Sequence, residues 1–155
     1  MEMPRPGDAH KKLEMLAGRW IGDEKMHPGP MGPGGTSKGI TDARISADGF
    51  YLIADYRQEK DGKASFHGHS VIGYDTFAKR YLWYWVDSMG MPPQSATAGQ
   101  WKGEDLVFDG DTPHGKVRYT YAIKGLDRYL FTIEASPDGG KTWKPFMEGD
   151  YRRAK

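Results

Sequence analysis

The stretch LAGRWIGDE, Leu16 to Glu24, sets a G-x-W-x-G run (Gly18 to Gly22) directly behind the chain's one helical signal. In GDAHKKLEMLAG just before it, Asp8 can cap a helix N-terminus, Leu13 and Leu16 share a face, and Gly18 can end the helix. One short helix over 8–17 is therefore expected to feed straight into the first strand.

Beyond this point only strand signals follow. Apolar and aromatic segments lie near 19–27, 39–46, 50–59, 64–74, 80–88, 94–101, 104–109, 115–124, 128–135 and 144–153, with turn chemistry such as ADGF, KDGK and PDGGK between several of them. About ten antiparallel strands in so small a unit must hide their edges, and closure does so completely. The reading is all-β: a single antiparallel closed β-barrel of about ten strands with one short N-terminal helix, one domain over 1–155. Two segments escape the pattern. HPGPMGPGGTSKG (His27 to Gly39) is too rich in Pro and Gly to pair regularly, and DSMGMPPQSATAG (Asp87 to Gly99) mixes Met with a Pro pair. Residues 28–38 and 88–99 are thus candidate flaps over a barrel mouth, or ordinary surface loops.

Composition narrows the partners. Lys+Arg 22 against Asp+Glu 21 gives a net charge of +1 with no basic run, which excludes the electrostatic footprint of a nucleic-acid binder. No apolar run has the length of a membrane span, and MEMPRPGDAHKK lacks the apolar centre of a signal peptide, so a cytoplasmic protein without membrane partner is expected. The cysteine count of 0 removes disulfides, thiolate nucleophiles and cysteine metal sites together. A homodimer stays open.

The G-x-W run resembles the start of calycin, lipocalin-like barrels, in which that tryptophan plugs the closed end beneath an arginine of the last strand. The last strand here reads FMEGDYRRA, so the resemblance pairs Trp20 with Arg153, or with Arg152 in the other register; a guanidinium lies well on an indole face. In VIGYDTFAKRYLWYWVDSMG, Val71 to Gly90, the G-Y-D, K-x-Y and W-x-D-S elements are similar to a bacterial family, domain of unknown function 1579. That likeness spans most of the chain, implies a calycin-like barrel and carries no established activity. GRWIGDE also resembles nitrobindin-type barrels, which fix heme iron through a histidine of the C-terminal part. No histidine follows His114, which sits in the turn-like DTPHGK, so neither heme nor any other cofactor is expected.

Strand parity decides what faces a cavity. In FYLIADYR, Phe50, Leu52, Ala54 and Tyr56 form the core face and Asp55 the outer one. The following strand depends on EKDGK. A type I turn over Lys60 and Asp61 with Gly62 as a bulge residue turns Phe66, Gly68, Ser70 and Ile72 inward; a two-residue Asp61-Gly62 turn would instead send in His67 and His69. The first is expected, because it also sets Trp83, Trp85 and Asp87 inward beside the small Gly68 and Ser70.

The candidate ligand-binding residues are Tyr56, Ser70, Trp83, Trp85, Asp87 and Glu148. His67 and His69 are two apart on a strand but no third ligand is evident, so no metal is expected. Asp87, Glu24 and Glu148 could converge inside as an acid and base pair, or simply bond backbone and Arg153. Tyr119, Tyr121, Tyr129 and Phe131 read as core, with room for one phenol to reach the cavity. No catalytic triad or phosphate loop is present. SPDGGKTW, Ser136 to Trp143, resembles the Asp-box hairpin of sialidase propellers, yet a propeller needs at least about four blades of roughly 40 residues. Asp138 and Trp143 are accordingly read as structural: Asp138 bonds turn amides and Trp143 packs back on the last hairpin. The leading function is a barrel that binds a small, largely apolar molecule. The alternative is an enzyme using Asp87 or Glu148 as acid or base, and the third is a ligand-free interaction module.

Overall fold

The computed structural model of the protein describes residues 1–92 and 95–155. A single helical turn, α1 (Asp8–Lys11), tightens into a 3₁₀ turn over Lys12–Leu16. Ten strands follow: β1 (Gly18–Met26), β2 (Gly35–Ser46), β3 (Tyr51–Lys60), β4 (Lys63–Asp75), β5 (Arg80–Asp87), β6 (Thr97–Lys102), β7 (Asp105–Thr112), β8 (Gly115–Ile123), β9 (Arg128–Ser136) and β10 (Lys144–Arg153). Each pairs antiparallel with the next, and β10 returns to β1, so the sheet closes as a barrel. Among the described residues no helix is long and apolar enough to cross a membrane.

Several boundaries differ from the sequence reading, each for a local reason. Asp8 is the first helical residue, not the cap; the Gly7 amide is instead taken by His10 Nδ1 at 3.0 Å. Residues 35–38 of the expected 28–38 flap are strand, paired with Met26 to Asp23. The prolines stop at Pro33, so nothing beyond it withholds a backbone donor from the ladder. Likewise Thr97 to Gly99 belong to β6, paired with Trp83 to Tyr81; positions 93 and 94 of the 88–99 flap and of the expected 94–101 strand lie outside the described residues.

The β3–β4 connection needs a correction of mechanism. Lys60 pairs with Lys63, leaving a two-residue turn in which Asp61 (φ 52°) and Gly62 (φ 75°) both adopt left-handed backbone. That was the alternative expected to bring the histidines inside. A bulge prevents it: Glu59 faces Ala64 while Gln58 faces Phe66, so Ser65 is an extra residue on β4 and parity is reset. Gly68, Ser70 and Ile72 consequently face the interior, and His67 and His69 the outside, where His69 Nδ1 meets Asp55 Oδ1 at 2.8 Å.

One end of the barrel is plugged. Trp20 is 1% exposed, its Nε1 donates to Leu16 O at 3.0 Å, and the Arg153 guanidinium lies 4.2 Å from its ring centre. Arg153, rather than Arg152, is therefore the stacked arginine; it pairs in register with Trp20 and donates to Ala17 O and Leu126 O. Gly18 is required here, since its φ of 118° suits glycine and the Arg153 guanidinium occupies the place a Cβ would take. Leu13 and Leu16 from the helical turns join Leu52, Ile72, Leu106 and Phe108 in one core at this end.

Candidate functional site

Above the plug the strands diverge around a cavity of about 560 Å³. Alternation along β5 sends Trp83, Trp85 and Asp87 inward, joined by Tyr56 of β3 and Ser70 of β4; Tyr119 and Tyr121 of β8 and Phe131 of β9 complete the far wall. Room for the large rings comes from glycine: the Trp85 ring fills the space in which a Cβ of Gly68 would stand. Trp83 is the hub of the wall, with ring centres of Tyr119 at 4.8 Å, Phe108 at 5.3 Å and Tyr121 at 6.0 Å. The mouth is softer, edged by Met26, Met31, Met89, Phe66 and Phe146, and methionine adapts readily to irregular partners.

The polar groups divide into satisfied and unsatisfied sets. Asp87 is satisfied: Oδ2 accepts from Trp85 Nε1 at 2.7 Å and Oδ1 from the Met89 amide at 2.9 Å, which also ties the β5–β6 loop to the rim. Trp83 is 7% exposed and its Nε1 has no hydrogen-bond partner among the described residues. The phenols of Tyr119 and Tyr121 have none either among the described residues. Burial pushes both of these phenols up in pKa, with the negative charge of Asp87 adding to the rise at Tyr119, so each remains a protonated donor.

Behind the wall lies a buried carboxylate. Glu24 on β1 is 2% exposed and accepts from Tyr56 Oη at 2.8 and 3.0 Å, Ser37 Oγ at 3.0 Å, Gln58 Nε2 at 3.3 Å and the Tyr151 phenol. Four neutral donors surround it and, among the described residues, no cation forms an ion pair with it. Burial raises the Tyr56 and Tyr151 pKa values, and the Glu24 charge raises them further. Tyr56 and Tyr151 also line the cavity, so Glu24 stands one side chain behind its surface.

Of the six expected binding residues, Tyr56, Ser70, Trp83, Trp85 and Asp87 come together on this cavity, and Glu148 does not. Glu148 lies on the outer face opposite Lys25, half exposed, with His27 Nε2 at 2.6 Å. Of the expected trio, Asp87 and Glu24 face inward and Glu148 does not. Strand alternation carries the signal: Glu24 is four residues from Trp20 and shares its face, whereas Glu148 is five from Arg153 and cannot share the face of an arginine stacked on Trp20. The unpaired indole of Trp83 and the methionine rim had no such signal. At the 136–143 turn Asp138 accepts from Ser136 Oγ and from the Lys141 and Thr142 amides, and Arg118 stacks 4.0 Å over Trp143, all on the barrel's exterior.

A family profile described as "Protein of unknown function (DUF1579)" matches residues 5–153. Among solved structures, Rv2717c from M. tuberculosis is similar with a TM-score of 0.70 at 12% identity, covering 96% of this chain and 99% of that one. The S-type phycobiliprotein lyase CPES from Guillardia theta is similar with a TM-score of 0.67 at 10% identity, over 95% of this chain and 93% of that one. At such identities the likeness shows the fold alone. No curated protein matches the sequence significantly.

Proposed function

This chain belongs to the DUF1579 family of proteins of unknown function, and we propose that its barrel binds a small, largely apolar ligand in the cavity above Trp20. The observation that carries the reading is the coincidence of an aromatic-walled space of about 560 Å³ with the unpartnered Trp83 Nε1. The volume lies within the roughly 300–1,000 Å³ usual for small-molecule sites. A buried donor left unpaired costs about 1–3 kcal/mol, a cost that a bound acceptor would relieve. Tyr56, Ser70, Trp83, Trp85 and Asp87 are the wall residues assigned to the ligand, with the methionine rim adjusting around its exit. A ligand-free module would have no use for the space. An acid–base role for Asp87 has less support, because both its oxygens are held by Trp85 and Met89. A phycobiliprotein lyase on a similar fold is compatible with either reading and selects neither.

Native mass spectrometry of gently purified protein tests the proposal, together with titration of the tryptophan emission by whatever molecule is retained. A stoichiometric small molecule whose return quenches that emission is expected. Failure of every uncharged aromatic probe to bind, with the protein folded, would rule the binding role out.

A further inference from the structure

We infer that the cavity is selective for uncharged ligands bearing a hydrogen-bond acceptor such as a carbonyl, and that it rejects organic anions. The inference rests on the binding role proposed above and adds the chemistry that the ligand must have.

Charge comes first. Among the described residues lining the cavity there is no Lys, Arg or His, while a carboxylate, Asp87, sits in the wall and a second, Glu24, stands one side chain behind it. An anion entering this space would lose its hydration, find no counter-charge, and meet two negative groups across a medium that screens poorly. No described arginine or lysine lines the cavity. Arg153 is committed to the plug, and Arg57, Arg118 and Arg128 form ion pairs with Glu59, Asp109 and Asp150. Cations are not called for either, because both oxygens of Asp87 and those of Glu24 already accept from protein donors.

The unpartnered indole can only donate, and the phenols beside it can donate as well. Trp83 Nε1 has no partner, and the Tyr119 and Tyr121 phenols, held protonated by burial, flank the same ring. Indole donates only, so its complement is an acceptor, and in a cavity hostile to anions that acceptor is an uncharged oxygen or nitrogen. A ligand would thus lay its acceptor on β5 and β8 and its apolar body toward the methionine rim.

The test uses three fluorescent probes on the intact protein. N-phenyl-1-naphthylamine and 1-anilinonaphthalene-8-sulfonate share a skeleton and differ by the sulfonate; prodan is uncharged and carries a ketone. The expected result is one-to-one binding of both uncharged probes, with the sulfonate at least about tenfold weaker and unable to displace prodan. Trp83→Phe should weaken prodan about three- to tenfold and shift its bound emission to the blue, as a carbonyl losing a donor does, while leaving N-phenyl-1-naphthylamine within about twofold. Tyr121→Phe gives a second reading of the donor wall should the tryptophan variant fold poorly. Sulfonate binding as tight as that of its uncharged partner overturns the charge selection. Prodan affinity and emission indifferent to both variants overturn the acceptor site. If none of the three binds, the ligand-binding role falls with the inference, whereas binding without discrimination leaves that role standing and sinks the inference alone.

Discussion

At the closed end of the barrel the Trp20 indole donates to Leu16 O at 3.0 Å and lies beneath Arg153, whereas the Trp83 indole on the cavity wall has no acceptor among the described residues. The same contrast extends to their neighbours. Near the plug, Trp101 Nε1 donates to Tyr81 Oη at 3.2 Å and Tyr81 Oη to Ala9 O at 2.6 Å; on the cavity wall, Tyr119 and Tyr121 have no such partners among the described residues. Both regions are aromatic and largely buried, so hydrophobic burial does not distinguish them. Polar satisfaction does. Paired donors add to stability, whereas a buried donor left unpaired carries a cost that, under the proposed binding role, an acceptor on a ligand would relieve.

The largest consequence falls on the plug. Trp20→Ala should cost about 3–5 kcal/mol, the usual range for emptying a core aromatic site, with Arg153 left without its ring. Denaturant unfolding monitored by far-ultraviolet circular dichroism checks it; a loss under 1 kcal/mol would mean that the closed end is not the stable half of the molecule.

Next in size is the Glu24 network, which belongs to the cavity wall yet is fully paired. Glu24→Met keeps the volume and removes every acceptor, stranding the Tyr56 and Tyr151 phenols, and should cost about 1–3 kcal/mol. Adding Tyr151→Phe should return part of that loss, because a donor with no acceptor is then deleted. Strict additivity in this double-mutant cycle would show that the carboxylate and the phenol do not depend on one another.

How much of this contrast was readable in advance varies residue by residue. The plug was readable through the resemblance of G-x-W and the terminal Tyr-x-Arg to the closed end of calycin barrels, and the structure pairs Trp20 with Arg153. The inward face of β4 came out as expected for the wrong reason: the turn is the two-residue form, and the extra Ser65 cancels the parity change. A bulge of that kind is set by the pairing of two strands, with no Gly or Pro of its own to announce it. Glu148 failed from the opposite cause, since applying alternation from Arg153 along β10 would have excluded it. The missing partner of Trp83 Nε1 depends on how several strands pack around it and has no local sequence signature.

A smaller, pH-graded effect concerns the 136–143 turn at the open rim. Hydrogen bonds from Thr142 first, and then from Ser136 and the Lys141 amide, hold the Asp138 carboxyl well below the usual carboxylate range. A depressed folded-state pKa contributes stability that is present above the unfolded value of about 3.9 and is lost as pH falls toward the folded one. The melting temperature of the native protein should therefore exceed that of Asp138→Ala by a constant margin from pH 7 down to about 4, and the margin should narrow below that. A margin that grows on acidification would have the wrong sign for this carboxylate.

The smallest expected change in stability is at Trp83, and it bears most directly on the contrast between the two halves. Trp83→Phe removes part of a buried ring, which by itself is destabilising, and also deletes a donor whose burial without a partner costs about 1–3 kcal/mol. The two effects oppose each other, so unfolding free energy should change by no more than about 1 kcal/mol even though Trp83 is 7% exposed and surrounded by rings. Trp20→Phe, where the donor is paired to Leu16 O, has no such compensation and should be clearly the more destabilising of the two. Equilibrium denaturation of the matched pair decides it. If Trp83→Phe is as costly as Trp20→Phe, the cavity wall is ordinary core, and the unpaired donor loses its claim to be the mark of a binding site.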